Sequence, residues 1–183
     1  MGSEEEKYAV LTVQPRIAAA SLALAEIPAG MLDASGDFAG TAAKEIAEET
    51  TLKVNKEDLF NMSEASVSKA STDLWQKKSD GAKASAEKEM LQNAMYPSPG
   101  ALDEFIPLFL CQKRLPKEDL DNLRGKLTGL REEGEKITLK LVPLDELWIE
   151  GGRDAKALAA LTLYEGLRKM GNLPAIQETS VGA

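Results

Sequence analysis

The stretch GMLDASGDFAGTAAKEIAEETTL, residues 30–52, decides how the chain is read. Residues 28–40 hold Pro28, Gly30, Gly36, Gly40, Asp33 and Asp37, a composition that marks a loop. Thr41 is a candidate N-cap, and the spacing predicts a helix over residues 41–50. Glu45 lies three residues before Glu48 and four before Glu49, so the three carboxylates share one helix face. Like charges at that spacing oppose an isolated helix. The face is then either simply solvated or a set of oxygen donors for a hard divalent cation, which would relieve the repulsion.

Composition narrows the chemistry. The 183-residue chain carries 22 Lys and Arg against 30 Asp and Glu, a net charge of −8. A phosphate backbone needs a basic face, so nonspecific nucleic-acid binding is not expected. A small anionic substrate remains open if a metal ion screens the acids. The absence of histidine removes a Ser-His-Asp triad, a histidine base and histidine-ligated zinc. Cys111, the single cysteine, cannot form an intrachain disulfide; it ends the apolar run FIPLFLC and reads as a buried thiol in a reducing compartment. No apolar run approaches the ~18 residues of a membrane helix. The acidic start MGSEEEK resembles neither a signal peptide nor an arginine-rich transit peptide. The expectation is a cytoplasmic or plastid protein with no membrane partner.

The rest of the chain reads as mixed strands and helices, hence α/β or α+β. Alternation predicts strands over residues 8–14 and 136–142, and an apolar strand over 105–112 broken by Pro107. Residues 17–27 favour a helix by their alanine and leucine content, although Leu22 and Leu24 keep a spacing of two. LKV (52–54) reads as a short strand or extended piece and residues 56–60 as one helical turn. Helices are predicted over 115–124, opened by Pro116, in a short piece at 143–148, and over 154–170 with Ala157, Leu158, Leu161 and Leu167 on one face. Residues 61–95, rich in serine, alanine and lysine, read as an insertion into a single domain spanning 8–172, with flexible tails at 1–7 and 173–183.

Residues 30–52 resemble the Nudix box, G-x5-E-x7-R-E-U-x-E-E-x-G-U with U apolar. Gly30 takes the first glycine, Lys44-Glu45 the R-E pair, Ile46 the first U, Glu48-Glu49 the E-E pair and Leu52 the last U, without a gap. Three positions depart from the pattern: Gly36 replaces a glutamate, Lys44 an arginine and Thr51 a glycine. Lysine keeps the charge but loses bidentate geometry. Thr51 must accept the backbone angle the glycine took, or the loop differs locally.

Further motifs point to one subgroup. EIPAG (26–30) is similar to the E-L-P-A-G entry of the ADP-ribose and ADP-sugar pyrophosphatases, YPSPGALDE (96–104) to their S-P-G loop, and GLREEGEKI (129–137) to the loop before their next strand. LTGLREEGE followed by a strand and VPLDELW is like the plant-type ADP-sugar diphosphatases. The resemblance implies a Nudix α/β/α sandwich with a mixed β-sheet, in which residues 17–27 form a strand. It implies magnesium, with manganese as a substitute, held by Glu45, Glu48, Glu49, Glu135 and the Ala29 carbonyl. Arg16, Glu104, Ser98 and Gly100 match substrate-binding positions, and Glu133 matches the general base beside Glu48 in the catalytic set. The implied reaction splits an ADP-sugar, ADP-ribose or ADP-glucose, into AMP and sugar phosphate, and the implied assembly is a homodimer. GDP-mannose or NADH is the alternative substrate. A catalytically weak fold that binds a nucleotide or a protein is the alternative of a different class.

Overall fold

The computed structural model of the chain describes residues 6–31, 36–73, 91–130, 132 and 134–176, with the backbone alone described for residues 68–73. At its centre is β6 (Ile137–Pro143), where the alternation of KITLKLV is realised: Ile137, Leu139 and Leu141 are buried on one face. β1 (Tyr8–Arg16) pairs antiparallel with β6, setting Val10 opposite Leu141 and Thr12 opposite Leu139. β2 (Ser21–Glu26) pairs back on β1, and the two-residue β5 (Leu127–Thr128) borders β6, giving the order β2-β1-β6-β5.

Because side chains alternate across the pleat, the two faces of this sheet build separate cores. On one face Leu123 of α3 (Lys117–Leu123) packs with Ile137, Leu139 and Leu141, bordered by Tyr8, Val10 and Leu52. On the other, Leu11 and Val142 meet Leu147 of α4 (Leu147–Glu150) and Leu161 of α5 (Ala155–Lys169). A third cluster joins Tyr164 and Leu167 of α5 to Met62 and Leu108, the latter beside a two-stranded sheet of β3 (Leu59–Asn61) and β4 (Phe109–Cys111). Ile27 and Leu144 touch both of the last two clusters and tie them together. The result is an α/β fold with helices on both faces of a central sheet. Every ladder among the described residues is antiparallel, whereas a mixed sheet was expected. β1 and β2 form a tight hairpin, a link that only antiparallel strands allow.

Several local expectations are corrected. The strand implied for residues 17–27 is present over its second half as β2, and only its start differs, as a 3-10 turn (Ile17–Ala19) and the left-handed Ala20 at φ 51°. Pairing with β1 overrides the helical propensity of the alanines. Residues 51–55 carry no strand. The predicted strand over 105–112 shrinks to β4 plus a single bridge between Met95 and Ile106, since Pro107 has no N–H to give a ladder. Pro116 precedes α3 as its N-cap instead of opening it from inside.

The segment read as an insertion begins with framework structure. α2 (Met62–Asp73) follows β3 directly, Met62 is buried in the third cluster, and Ser63 Oγ accepts the Leu108 N–H at 2.9 Å. Residues 74–90 and the tail from 177 onward lie outside the described residues. Among the described residues no helix is long and apolar enough to cross a membrane.

Candidate active site

The acidic stretch folds as α1 (Phe38–Thr50). Asp37, not Thr41, caps it: Asp37 Oδ1 accepts the Gly40 N–H at 3.2 Å, so the helix starts earlier than predicted. Lys56 Nζ reaches Asp37 at 2.7 Å, and Phe38 packs edge-on against Phe105 with ring centres 6.1 Å apart. At the other end Thr51 takes the left-handed conformation, φ 62°, and its N–H donates to Ala47 O at 2.9 Å. The threonine has therefore adopted the backbone angle a glycine would take. Lys126 Nζ donates to Thr51 Oγ1 at 2.8 Å, and Thr128 Oγ1 of β5 donates to the Glu49 carbonyl. The C-terminal turn of α1 is thus pinned to the central sheet.

Glu45, Glu48 and Glu49 project from this helix as the spacing requires. Glu49 is 6% exposed, and its Oε2 accepts the Ala29 N–H at 3.2 Å. Burial pushes its carboxyl up to about 7; the Ala29 N–H and Arg16 pull it down, while Glu45 and Glu135 add to the rise. Glu45 is also raised, first by burial, then by the charges of Glu48 and Glu135, against the opposing pull of Lys44. Lys44 stands 3.8 Å from Glu48, an exposed i,i+4 pair. Glu135 comes from the loop before β6, where its carboxylate accepts the Leu130 N–H at 3.1 Å and its own N–H donates to Leu130 O at 3.2 Å. Four carboxylates from two segments thus act on one another.

Gly30 explains the turn that faces them. A Cβ on Gly30 would lie 2.0 Å from Glu45 Cγ, so only a hydrogen fits there. Residues 27–30 lie directly on the acidic face, with Gly30 against Glu45 and Ala29 bonded to Glu49.

The donor set suits a hard divalent cation: it consists of carboxylate oxygens, carries net negative charge, and holds two acids above their ordinary range partly through mutual repulsion. Among the described residues no three Asp, Glu or Cys side chains are gathered closely enough to hold a metal ion as folded. Magnesium does not need three, because it keeps several waters and takes one or two carboxylates beside substrate phosphate.

The other predicted residues divide. Arg16 lies within electrostatic range of Glu49, and its Nε donates to Glu26 Oε2 at 2.5 Å. Ser98, Gly100 and Glu104 are exposed; Ser98 O accepts the N–H groups of Ala101 and Leu102, forming a turn. Among the described residues no hydrogen bond or ion pair links the Ser98 or Glu104 side chain to the glutamate cluster. Their loop reaches α1 through Phe105 and Phe38 instead. Glu133 lies outside the described residues. Sequence reasoning missed Glu26, Asp154 and Lys156. Lys156 Nζ bonds Glu26 Oε1 at 3.2 Å and Asp154 Oδ1 at 2.8 Å, and Asp154 Oδ2 accepts the Ile27 N–H at 3.0 Å. The available signal was a lysine in the first turn of α5, where the helix dipole disfavours a cation.

No family model matches the chain. The chain is 39% identical over 170 residues to Nudix hydrolase 14, chloroplastic, of Arabidopsis thaliana, a match covering 92% of this chain and 48% of that protein. The chain therefore spans about half the length of the curated relative it matches. A match over so much of this chain takes in the acidic helix, the turn lying on it and the loop that brings Glu135, so in all three of these segments the chain is similar to a Nudix hydrolase.

Proposed function

We propose that the chain hydrolyses the diphosphate bond of a nucleoside diphosphate sugar, ADP-ribose or ADP-glucose, to AMP and sugar phosphate, using magnesium or manganese. The observation that carries this reading is the acidic face of α1, where buried Glu49 and partly buried Glu45 meet Glu135 and the 27–30 turn, and where burial and mutual repulsion outweigh the pull of Arg16 and Lys44. A polyanionic substrate can approach such a face only with metal ions.

Glu45, Glu48, Glu49, Glu135 and the Ala29 carbonyl would hold the metal. Bound there, a divalent ion neutralises phosphate charge and lowers the pKa of a water. The chain's own residues do the rest. Arg16 binds diphosphate oxygens, and the Ser98–Gly100 turn with Glu104 contacts the sugar side. Glu133 accepts the proton of the attacking water. The water oxygen bonds to one phosphorus, the bridging P–O bond breaks, and the two phosphates separate. The relative is described as chloroplastic, which favours a plastid for this chain too.

The test is AMP release from ADP-ribose and ADP-glucose with and without magnesium. Faster cleavage of GDP-mannose or NADH would replace the substrate. The departures at Gly36, Lys44 and Thr51 favour a second reading, a nucleotide-binding module of low activity. Calorimetric binding of ADP-ribose without AMP release at high protein concentration would establish it.

A further inference from the structure

Arg16 is tethered by one edge. Its Nε is bonded to Glu26, and among the described residues its two terminal nitrogens have no partner. The arginine side chain is 44% exposed and the Glu26 side chain 10%, so the tether is inside and the free edge outside. A guanidinium held this way presents parallel N–H groups that match two oxygens of a diphosphate.

The tether needs support. A carboxylate as buried as Glu26 is costly to keep charged with a half-exposed arginine alone. Lys156 supplies the second cation, bonding the other Glu26 oxygen and Asp154. Asp154 is 4% exposed, caps α5 through the Lys156 N–H at 3.0 Å, and holds the Ile27 N–H. Two acids and two cations close a network running from α5 through the end of β2 to Arg16. This also accounts for a lysine at a helix start: its partners are tertiary.

We propose that Lys156 is a positioning residue for the nucleotide: by fixing one oxygen of Glu26 it fixes the other, and with it the direction of the free edge of Arg16. The inference rests on the reading that a diphosphate binds at the acidic cluster.

The test pairs calorimetric binding of α,β-methylene ADP-ribose, with magnesium, and steady-state cleavage of ADP-ribose, all in the full chain. Lys156→Met is expected to weaken analogue binding and raise KM about tenfold with kcat within about twofold, and Lys156→Arg to recover most of the loss. On a Glu26→Gln background Lys156→Met should add nothing, because the two act in one path. Unchanged binding in Lys156→Met, or an equal loss with and without Glu26, overturns the role. Should Lys156→Met not fold, the Glu26→Gln/Lys156→Met pair removes the unpaired charge on Glu26 and leaves Asp154 held by the backbone N–H groups of Ile27 and residue 156; it should bind the analogue as weakly as Arg16→Ala, and normal binding overturns the role. An unaltered chain that binds the analogue but releases no AMP defeats the hydrolase reading and leaves Lys156 to be judged on binding. An unaltered chain that binds no analogue defeats both.

Discussion

Two charged regions meet at the 27–30 turn, and they are built on opposite principles. On one side Glu26, Asp154, Arg16 and Lys156 balance two acids with two cations, each contact at hydrogen-bond distance. On the other, Glu45, Glu48, Glu49 and Glu135 repel one another, with Lys44 offset on the exposed flank. The balanced region is complete as folded. The acidic one is complete only with something positive added. Charge that the fold satisfies internally fixes where its members stand; charge left unsatisfied at a fixed place takes up a ligand's charge.

The sharpest way to break the contrast is Glu48→Gln. It removes one repelling charge, so turnover should fall by roughly a hundredfold or more while the melting temperature holds or rises. Steady-state rates beside a thermal melt check this, and unchanged turnover would falsify the metal assignment.

The pH dependence of the metal-free protein sharpens the contrast next. Glu49 has its folded pKa raised from 4.5 to about 7, so the fold prefers it protonated. Its contribution is fully present below pH 4.5 and lost as pH climbs to about 7, at most about 3 kcal/mol. Urea midpoints at pH 5 and pH 8 should show this loss without metal, and magnesium should restore it at pH 8. A midpoint that rises across that window without metal contradicts the burial of Glu49 against its neighbours.

Gly30→Ala should act through shape alone. The added Cβ collides with Glu45 Cγ, and overpacking of this kind costs about 1–3 kcal/mol. Denaturant unfolding should show that loss, and the magnesium concentration for half-maximal rate should rise because Glu45 is displaced. Wild-type stability and metal dependence together would mean the turn does not lie on the helix.

The smallest effect is expected at Thr51→Gly. A left-handed non-glycine residue is strained by about 1–2 kcal/mol, and glycine returns part of that through its looser unfolded state. The surface bond from Lys126 is lost as well. A net gain of about 0.5 kcal/mol is the expectation in urea; a net loss would mean that the Lys126 bond outweighs the strain.

The acidic face of α1 was legible because helix spacing is local: positions three and four apart meet whatever surrounds them. The cap was misplaced because Thr41 and Asp37 both satisfy the N-cap preference, and only the loop's path selects Asp37. The balanced network was invisible because its bonds span 127 residues from Ile27 to Asp154 and 130 from Glu26 to Lys156. No short-range pattern encodes them. β2 needed its partner too: SLALAE carries no decisive period, and the strand exists because β1 offers an edge. The SPG loop was recognised as a motif, yet its attachment to α1 through Phe38 and Phe105 is a ring contact that sequence spacing does not reveal.

The contact between Gly30 and Glu45 also constrains how this protein can evolve. Every encoded side chain larger than hydrogen at position 30 meets the Glu45 stem, so position 30 stays glycine for as long as a carboxylate stem occupies position 45. A saturation library at position 30 should recover metal-dependent function in glycine clones alone, and aspartate at position 45 gives no relief, because its Cγ stands where the Glu45 Cγ stands.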